Sequence, residues 1–249
     1  MHFGVILPNY GPSSDAGGIR RMAETADELG FHSVWTTEHI IVGPEGVDPY
    51  GRVYDPLITL SWIAGWTRRI GLGTSIVLVP LHHPIHLAKE VATLQEHSEG
   101  RVTLGVGMGW HVDEYEFMGV PFERRGRRGD EALRVMRALW NGEGDFDGEF
   151  WSFHGATFGP VPTKRPEIWV GGSSPAAIRR TLELGDVWHP SRGSDAAAVA
   201  AVKQRYPELR IVPRVAADGV DAMLEAGADG AVVQFADDAA MRAFAAQHL

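Results

Sequence analysis

The run Trp35-Thr36-Thr37-Glu38-His39 carries an acid and an imidazole out of a strand-like segment into a long loop. A carboxylate and an imidazole placed there can act as a proton carrier and a ring anchor, because imidazole titrates near neutral pH. Taken alone, the motif fits slightly better a polar strand end hydrogen-bonded to its own loop. A second run reads Gly105-Val106-Gly107-Met108-Gly109-Trp110. Side chains alternate along a strand, so Gly105, Gly107 and Gly109 share a face against which a flat ring could lie. Small residues relieving crowding inside a narrow barrel would look the same. The spacing is not that of a dinucleotide fingerprint.

A third run, Val170-Gly171-Gly172-Ser173-Ser174-Pro175, reads as strand, flexible turn, N-cap serine and proline at the first helical position. Amides and the helix dipole at such a turn favour an anion. It is the best phosphate signal in the chain, with a well-capped helix holding no ligand as its rival. The glycines of Gly71-Leu72-Gly73-Thr74-Ser75-Ile76 mean either a close approach or a tight interior. His82, His83 and His86 do not read as a metal set. No carboxylate lies within a few residues, and His83 precedes Pro84 as a helix cap. Arg124, Arg125, Arg127 and Arg128 read as a solvated helix entry, and Trp110 falls beside the glycine strip.

The elements that must position these residues alternate between short apolar runs and amphipathic helical patterns, the mark of βα units around a parallel sheet. Strands are expected at residues 2–7, 33–38, 70–79, 102–107, 167–170, 186–189, 210–216 and 231–235. Eight strands close a barrel, and a chain of 249 residues matches the usual size of one. The expected fold is therefore a single α/β domain over residues 1–249, a (β/α)8 TIM barrel with extended loops after strands two and four. Helices are expected at 19–29, 56–66, from Pro84, and at 130–140, 175–184, 220–226 and 241–249. The first loop spans 40–55. The second, 141–163, is aromatic-rich and expected to form a small hairpin.

The net charge of −9 argues against a nucleic-acid partner and gives no reason to expect an anionic membrane. The absence of cysteine excludes disulfides and thiolate sites. No apolar run approaches the roughly 20 residues of a membrane span. No signal-peptide pattern precedes the first strand, so a cytoplasmic protein is expected.

Together the motifs resemble the bacterial luciferase-like flavin and deazaflavin oxidoreductases over nearly the whole chain. The resemblance rests on Phe3-Gly4-Val5-Ile6-Leu7-Pro8, Glu28-Leu29-Gly30-Phe31 through Glu38-His39, and Ile70-Gly71-Leu72-Gly73-Thr74-Ser75. It continues through His83-Pro84, Ala92-Thr93-Leu94, Ser98-Glu99-Gly100-Arg101-Val102, Gly105 to Trp110, Leu139-Trp140 and Ile168-Trp169-Val170-Gly171-Gly172. The chain looks most like the branch dependent on coenzyme F420, with FMN as the alternative. The resemblance implies a tricyclic ring at the carboxyl-end mouth of the barrel and a non-proline cis peptide joining Ser75 to Ile76.

By position it makes Glu38 the acid that meets the ring and His39 the active-site histidine. Thr74, Ser75, Ile76, Gly107, Gly109 and Asp113 become cofactor contacts, and Gly172, Ser173, Ser174, Ala176 and Ala177 the phosphate cradle. The implied activity is hydride transfer to or from a small organic substrate, in a homodimer. The rivals are an FMN-dependent monooxygenase using molecular oxygen and a flavin- or deazaflavin-binding protein without turnover. Two departures set this chain apart from the sugar-phosphate dehydrogenases of that branch. Trp110 stands where they have a catalytic glutamate, and the region after strand six, which there holds basic substrate ligands, is short.

Overall fold

In the computed structural model of the protein, which describes residues 2–190 and 194–249, a parallel sheet curls around an apolar interior. Its strands are β1 (His2–Ile6), β2 (Ser33–Thr36), β3 (Gly71–Thr74), β4 (Val77–Leu78) and β5 (Val102–Gly107). A separate antiparallel hairpin pairs β6 (Phe146–Asp147) with β7 (Ser152–Phe153), in the loop expected to hold one. The sheet continues with β8 (Glu167–Gly171), β9 (Val187–His189), β10 (Arg210–Ile211), β11 (Arg214–Ala216) and β12 (Gly230–Gln234). The order is β10-β9-β8-β5-β3-β2-β1-β12-β11, with β4 alongside β5.

Both faces of the sheet are buried, which is why its strands read as nearly continuous apolar runs. Phe3, Val5 and Leu7 of the first strand segment face the helix layer, while Ile6 joins Trp35, Trp169, Val187, Val212 and Val232 inside the curl. Trp35 explains two glycines. A Cβ at Gly4 or Gly73 would collide with its indole, so the glycines flanking β2 serve a tight interior.

Two expected strands are interrupted. Residues 70–79 form β3 and β4, separated by the cis Ser75–Ile76 peptide. Residues 210–216 form β10 and β11, separated by Val212 and by Pro213, which has no N–H to give to a ladder. The ends of the strand order thus belong to one short segment. Val212 N donates to Trp188 O at 3.0 Å on one side, and Val232 N to Pro213 O at 2.8 Å on the other.

The helices follow their caps. Residues Ala16–Leu29 start earlier than the apolar pattern indicates, because Asp15 accepts from Gly18 N at 2.8 Å. They end at Gly30, whose φ of 86° is open to glycine. Arg125–Trp140 likewise begins before Asp130, fed by a tight turn at Phe122–Arg124. Ala196–Arg205 escapes a periodicity reading because it is alanine-rich and buries Val199 alone. His83 does occupy the cap position of Pro84–His97 but makes no side-chain cap bond. Among the described residues, no helix is long and apolar enough to cross a membrane.

Candidate active site

The carboxyl ends of the parallel strands surround a cavity of about 560 Å³. In folds of this type that rim is where chemistry collects. Glu38 and His39, just beyond β2, both line it, as do Ser75, Ile76, Gly107, Gly109, Gly172, Ser173, Ser174 and Ala177. Three expected contacts do not. Thr74 is fully buried and donates to Gly105 O at 2.8 Å. Ala176 sits exposed one residue before the cavity-lining Ala177. Asp113, on the short helix Val112–Phe117, packs against Gly43, where a Cβ would strike its carboxylate. The short region after β9 includes residues 191–193, which lie outside the described residues.

His39 is held by a carboxylate 75 positions away: its Nδ1 is 2.9 Å from Oε2 of Glu114. Glu114 is fully buried, and its Oε1 accepts from Ile40 N at 2.6 Å and Ile41 N at 3.4 Å. The ring of His39 is also packed, 4.2 Å from Tyr50 and 5.9 Å from Trp110 between centroids. Tyr50 comes from the 40–55 loop, which is tied down where Gly43 N donates to His111 Nε2 at 2.8 Å.

Glu38 faces a different set. Its Oε2 accepts from Leu78 N at 2.6 Å, and His82 Nε2 lies 3.1 Å from each carboxylate oxygen. Burial disfavours a charged His82, but the hydrogen bond and the charge of Glu38 outweigh it and hold the pKa above its ordinary value. Sequence spacing hides this pair, because a turn at Val79–Leu81 brings His82 back to the end of β2.

The glycine strip has a physical purpose other than a bare shelf. A Cβ at Gly105 would strike the carbonyl oxygen of Thr74, and one at Gly107 would lie 2.5 Å from Cδ1 of Ile76. Gly171 meets the same side chain at 2.9 Å. The glycines make room for the segment from Thr74 to Ile76, and Ile76 supplies the apolar surface there.

At the opposite wall Ser174 caps the helix Pro175–Leu184, accepting from Ala177 N at 3.2 Å. Two arginines join it in lining the cavity. Arg125 donates to Gly109 O at 3.3 Å and Phe122 O at 3.0 Å. Arg180, only 5% exposed, pairs with Asp130. The arginine run therefore divides: Arg124 and Arg127 pair with Glu149 outside, and Arg125 turns inward. His189 and Arg214 complete the floor, both buried and both bonded to Ser75, at Oγ (2.9 Å) and at the carbonyl oxygen (2.9 Å).

This is an α/β fold with a cavity at the carboxyl ends of its parallel strands. The chain belongs to the luciferase-like monooxygenase family, whose model matches residues 1–245. It is 34% identical over 175 residues to an F420-dependent glucose-6-phosphate dehydrogenase of Kineococcus radiotolerans, covering 68% of this chain and 51% of that one. It is 33% identical over 168 residues to the oxygenase component of a flavin-dependent trigonelline monooxygenase of Acinetobacter baylyi, covering 66% and 45%. These and other curated relatives are matched over 45% to 64% of their own length. Among solved structures, an F420-dependent secondary alcohol dehydrogenase in complex with an F420-acetone adduct superposes with a TM-score of 0.80. At 15% identity, covering 94% of this chain and 92% of that one, it shows a shared fold.

Proposed function

We propose that this chain is an oxidoreductase that holds a flavin-type tricycle, deazaflavin before FMN, and moves a hydride between it and a small organic substrate. We read the curled sheet as a closed (β/α)8 cylinder in which 210–216 acts as one strand kinked at Pro213. The hydrogen bonds made on both sides of that segment support this.

The donor set fits the group. Ile76, Leu78 and Trp110 offer apolar surface, and Arg125, Arg180 and the serine-capped helix start offer an anion site in the same cavity. A bound deazaflavin or flavin supplies the two-electron chemistry, and the protein supplies orientation and electrostatics. Gly172, Ser173, Ser174 and Ala177 border the phosphate position. Glu38 holds Leu78 and His82 in place at the ring edge. His39 carries the proton that accompanies the hydride, and Tyr50 covers its ring from the loop.

The observation that carries this reading is His39 on the cavity wall with its Nδ1 held 2.9 Å from buried Glu114. The relative from Kineococcus, matched over two thirds of this chain, supports deazaflavin; the Acinetobacter relative, matched to nearly the same extent, supports a flavin as the alternative. The test is titration of the purified protein with each cofactor, followed by fluorescence quenching. Quenching by F420 at lower concentration than FMN is expected. Oxygen consumption with reduced FMN would favour the monooxygenase, and quenching by neither would overturn the reading. With a cofactor bound, His39→Ala should cut turnover far more than affinity. Equal losses would reassign His39 to binding.

A further inference from the structure

We infer that Glu114 is a positioning residue that fixes His39 as the Nδ1–H tautomer, leaving Nε2 as an unprotonated acceptor toward the cavity. This rests on the proposal that His39 carries the proton. Its central claim concerns the protein without any cofactor.

The argument lies in how the two oxygens of Glu114 divide their partners. Oε1 takes the backbone N–H groups of Ile40 and Ile41, which can only donate. Oε2 takes Nδ1 of His39 at 2.9 Å. A carboxylate only accepts, so the hydrogen of that bond sits on Nδ1. In a neutral imidazole the other nitrogen then has none. Among the described residues no group hydrogen-bonds Nε2, and His39 lines the cavity while Glu114 does not. The ring cannot easily turn over to exchange its nitrogens, because Tyr50 and Trp110 pack against it.

Glu114 therefore does more than support the loop. It points a lone pair at the substrate position and stabilises the imidazolium formed when that lone pair takes a proton. A substrate group that presents an O–H or N–H to Nε2 is favoured in this state. One that only accepts must wait for His39 to be protonated.

The division of oxygens makes a sharp prediction for Glu114→Gln. The amide oxygen stays with the two backbone donors. The amide NH2 then faces Nδ1, which must accept, so the proton moves to Nε2. Size and loop contacts are kept while the tautomer inverts. The experiment is nitrogen-15 NMR of the histidine side chains in the full chain, with His39→Ala identifying the signals. The wild type should show Nδ1–H and bare Nε2 for His39, and Glu114→Gln the reverse. Turnover of Glu114→Gln with bound cofactor should fall about 10²- to 10⁴-fold with cofactor affinity changed less than threefold, the pattern of a wrongly protonated ring. Glu114→Asp keeps the carboxylate and should restore the wild-type tautomer and part of the rate.

An Nε2–H tautomer in the wild type, which needs no variant to measure, overturns the inference. So does an unchanged tautomer in Glu114→Gln, whereas an inverted one with wild-type turnover upholds the tautomer and overturns its bearing on catalysis. Unimpaired turnover in His39→Ala is a different result: it overturns the role of His39 as proton carrier and leaves the tautomer measurement standing.

Discussion

Ser75 Oγ lies 2.9 Å from Nε2 of His189, and the far side of the ring fixes the direction of that bond. His189 Nδ1 is 2.6 Å from the carbonyl oxygen of Val212, so Nδ1 carries the hydrogen and Nε2 accepts from the serine hydroxyl. That direction belongs to the neutral ring, which burial favours. Burial pulls its pKa from the ordinary 6.5 down to about 4, with the charge of Arg214 adding to the effect.

That shift is a statement about stability. Between pH 6.5 and about 4 the unfolded chain binds a proton at this residue and the folded chain does not. Stability contributed by neutral His189 is present above pH 6.5 and lost as the pH falls through that window. The loss amounts to about 3 kcal/mol between the two limits. Urea denaturation at pH 7 and pH 4 should show His189→Gln losing less on acidification than the wild type, by about that amount. Parallel losses would mean that His189 is charged in the folded state.

Gly105 and Gly107 look alike in the sequence but should differ in tolerance. Alanine at 107 meets the Cδ1 tip of Ile76, 2.5 Å from the new Cβ, and a side-chain tip can move. The expected cost is about 1–3 kcal/mol, as for moderate overpacking. Alanine at 105 meets the backbone carbonyl of Thr74, which cannot yield without moving the strand. Denaturation midpoints should rank wild type above Gly107→Ala and Gly107→Ala well above Gly105→Ala. The reverse ranking would show that Ile76 is the less movable neighbour.

What the sequence revealed and what it hid follow from the range of each interaction. Glu38, His39 and Ser174 stand at ends of elements whose periodicity or capping is local, so their place on the rim was legible. His189 stands at the end of β9 by the same rule and could have been read with them. Glu114 could not. It acts on residues 39–41 from a six-residue helix, and only the tertiary fold puts it there. The turn that folds His82 onto Glu38 is hidden for the same reason. The glycine strip was visible, but its meaning depends on which neighbour crosses it, and that neighbour is Ile76. Asp113, expected at the cofactor from resemblance, turns to Gly43 while its neighbour Glu114 turns to His39.

The His82–Glu38 pair should behave oppositely to His189. Its pKa lies above the ordinary value because the hydrogen bond and charge of Glu38 outweigh burial. Removing the charge with Glu38→Gln leaves burial in command, so the pKa of His82 should drop below 6.5 in an NMR titration. For stability the sign also reverses. The contribution of the pair is complete below the ordinary histidine pKa and fades as the pH rises through the raised one. Glu38→Gln should therefore destabilise the protein more at pH 6 than at pH 9. Equal destabilisation at both would show that the Leu78 N–H, 2.6 Å from Oε2, is the partner that matters.

Arg125 gives the cleanest test of the proposed anion wall. Arg180 is unsuitable, because its loss would also break its ion pair with Asp130, leaving that carboxylate only the more distant Arg179. Arg125 instead bonds backbone carbonyls and rests on the ring of Phe122, 3.6 Å from its centroid, so its removal leaves no buried charge behind. A charge-assisted hydrogen bond to phosphate is worth about 1.5–3 kcal/mol, which corresponds to a roughly 10- to 100-fold change in affinity. Arg125→Ala should weaken FMN or phosphorylated deazaflavin by that factor and leave riboflavin or unphosphorylated deazaflavin nearly unchanged. The comparison separates the two contributions of the wall. Equal weakening of both kinds of ligand would assign Arg125 to the shape of the cavity, through its hold on Gly109, and would move the phosphate to the helix start alone.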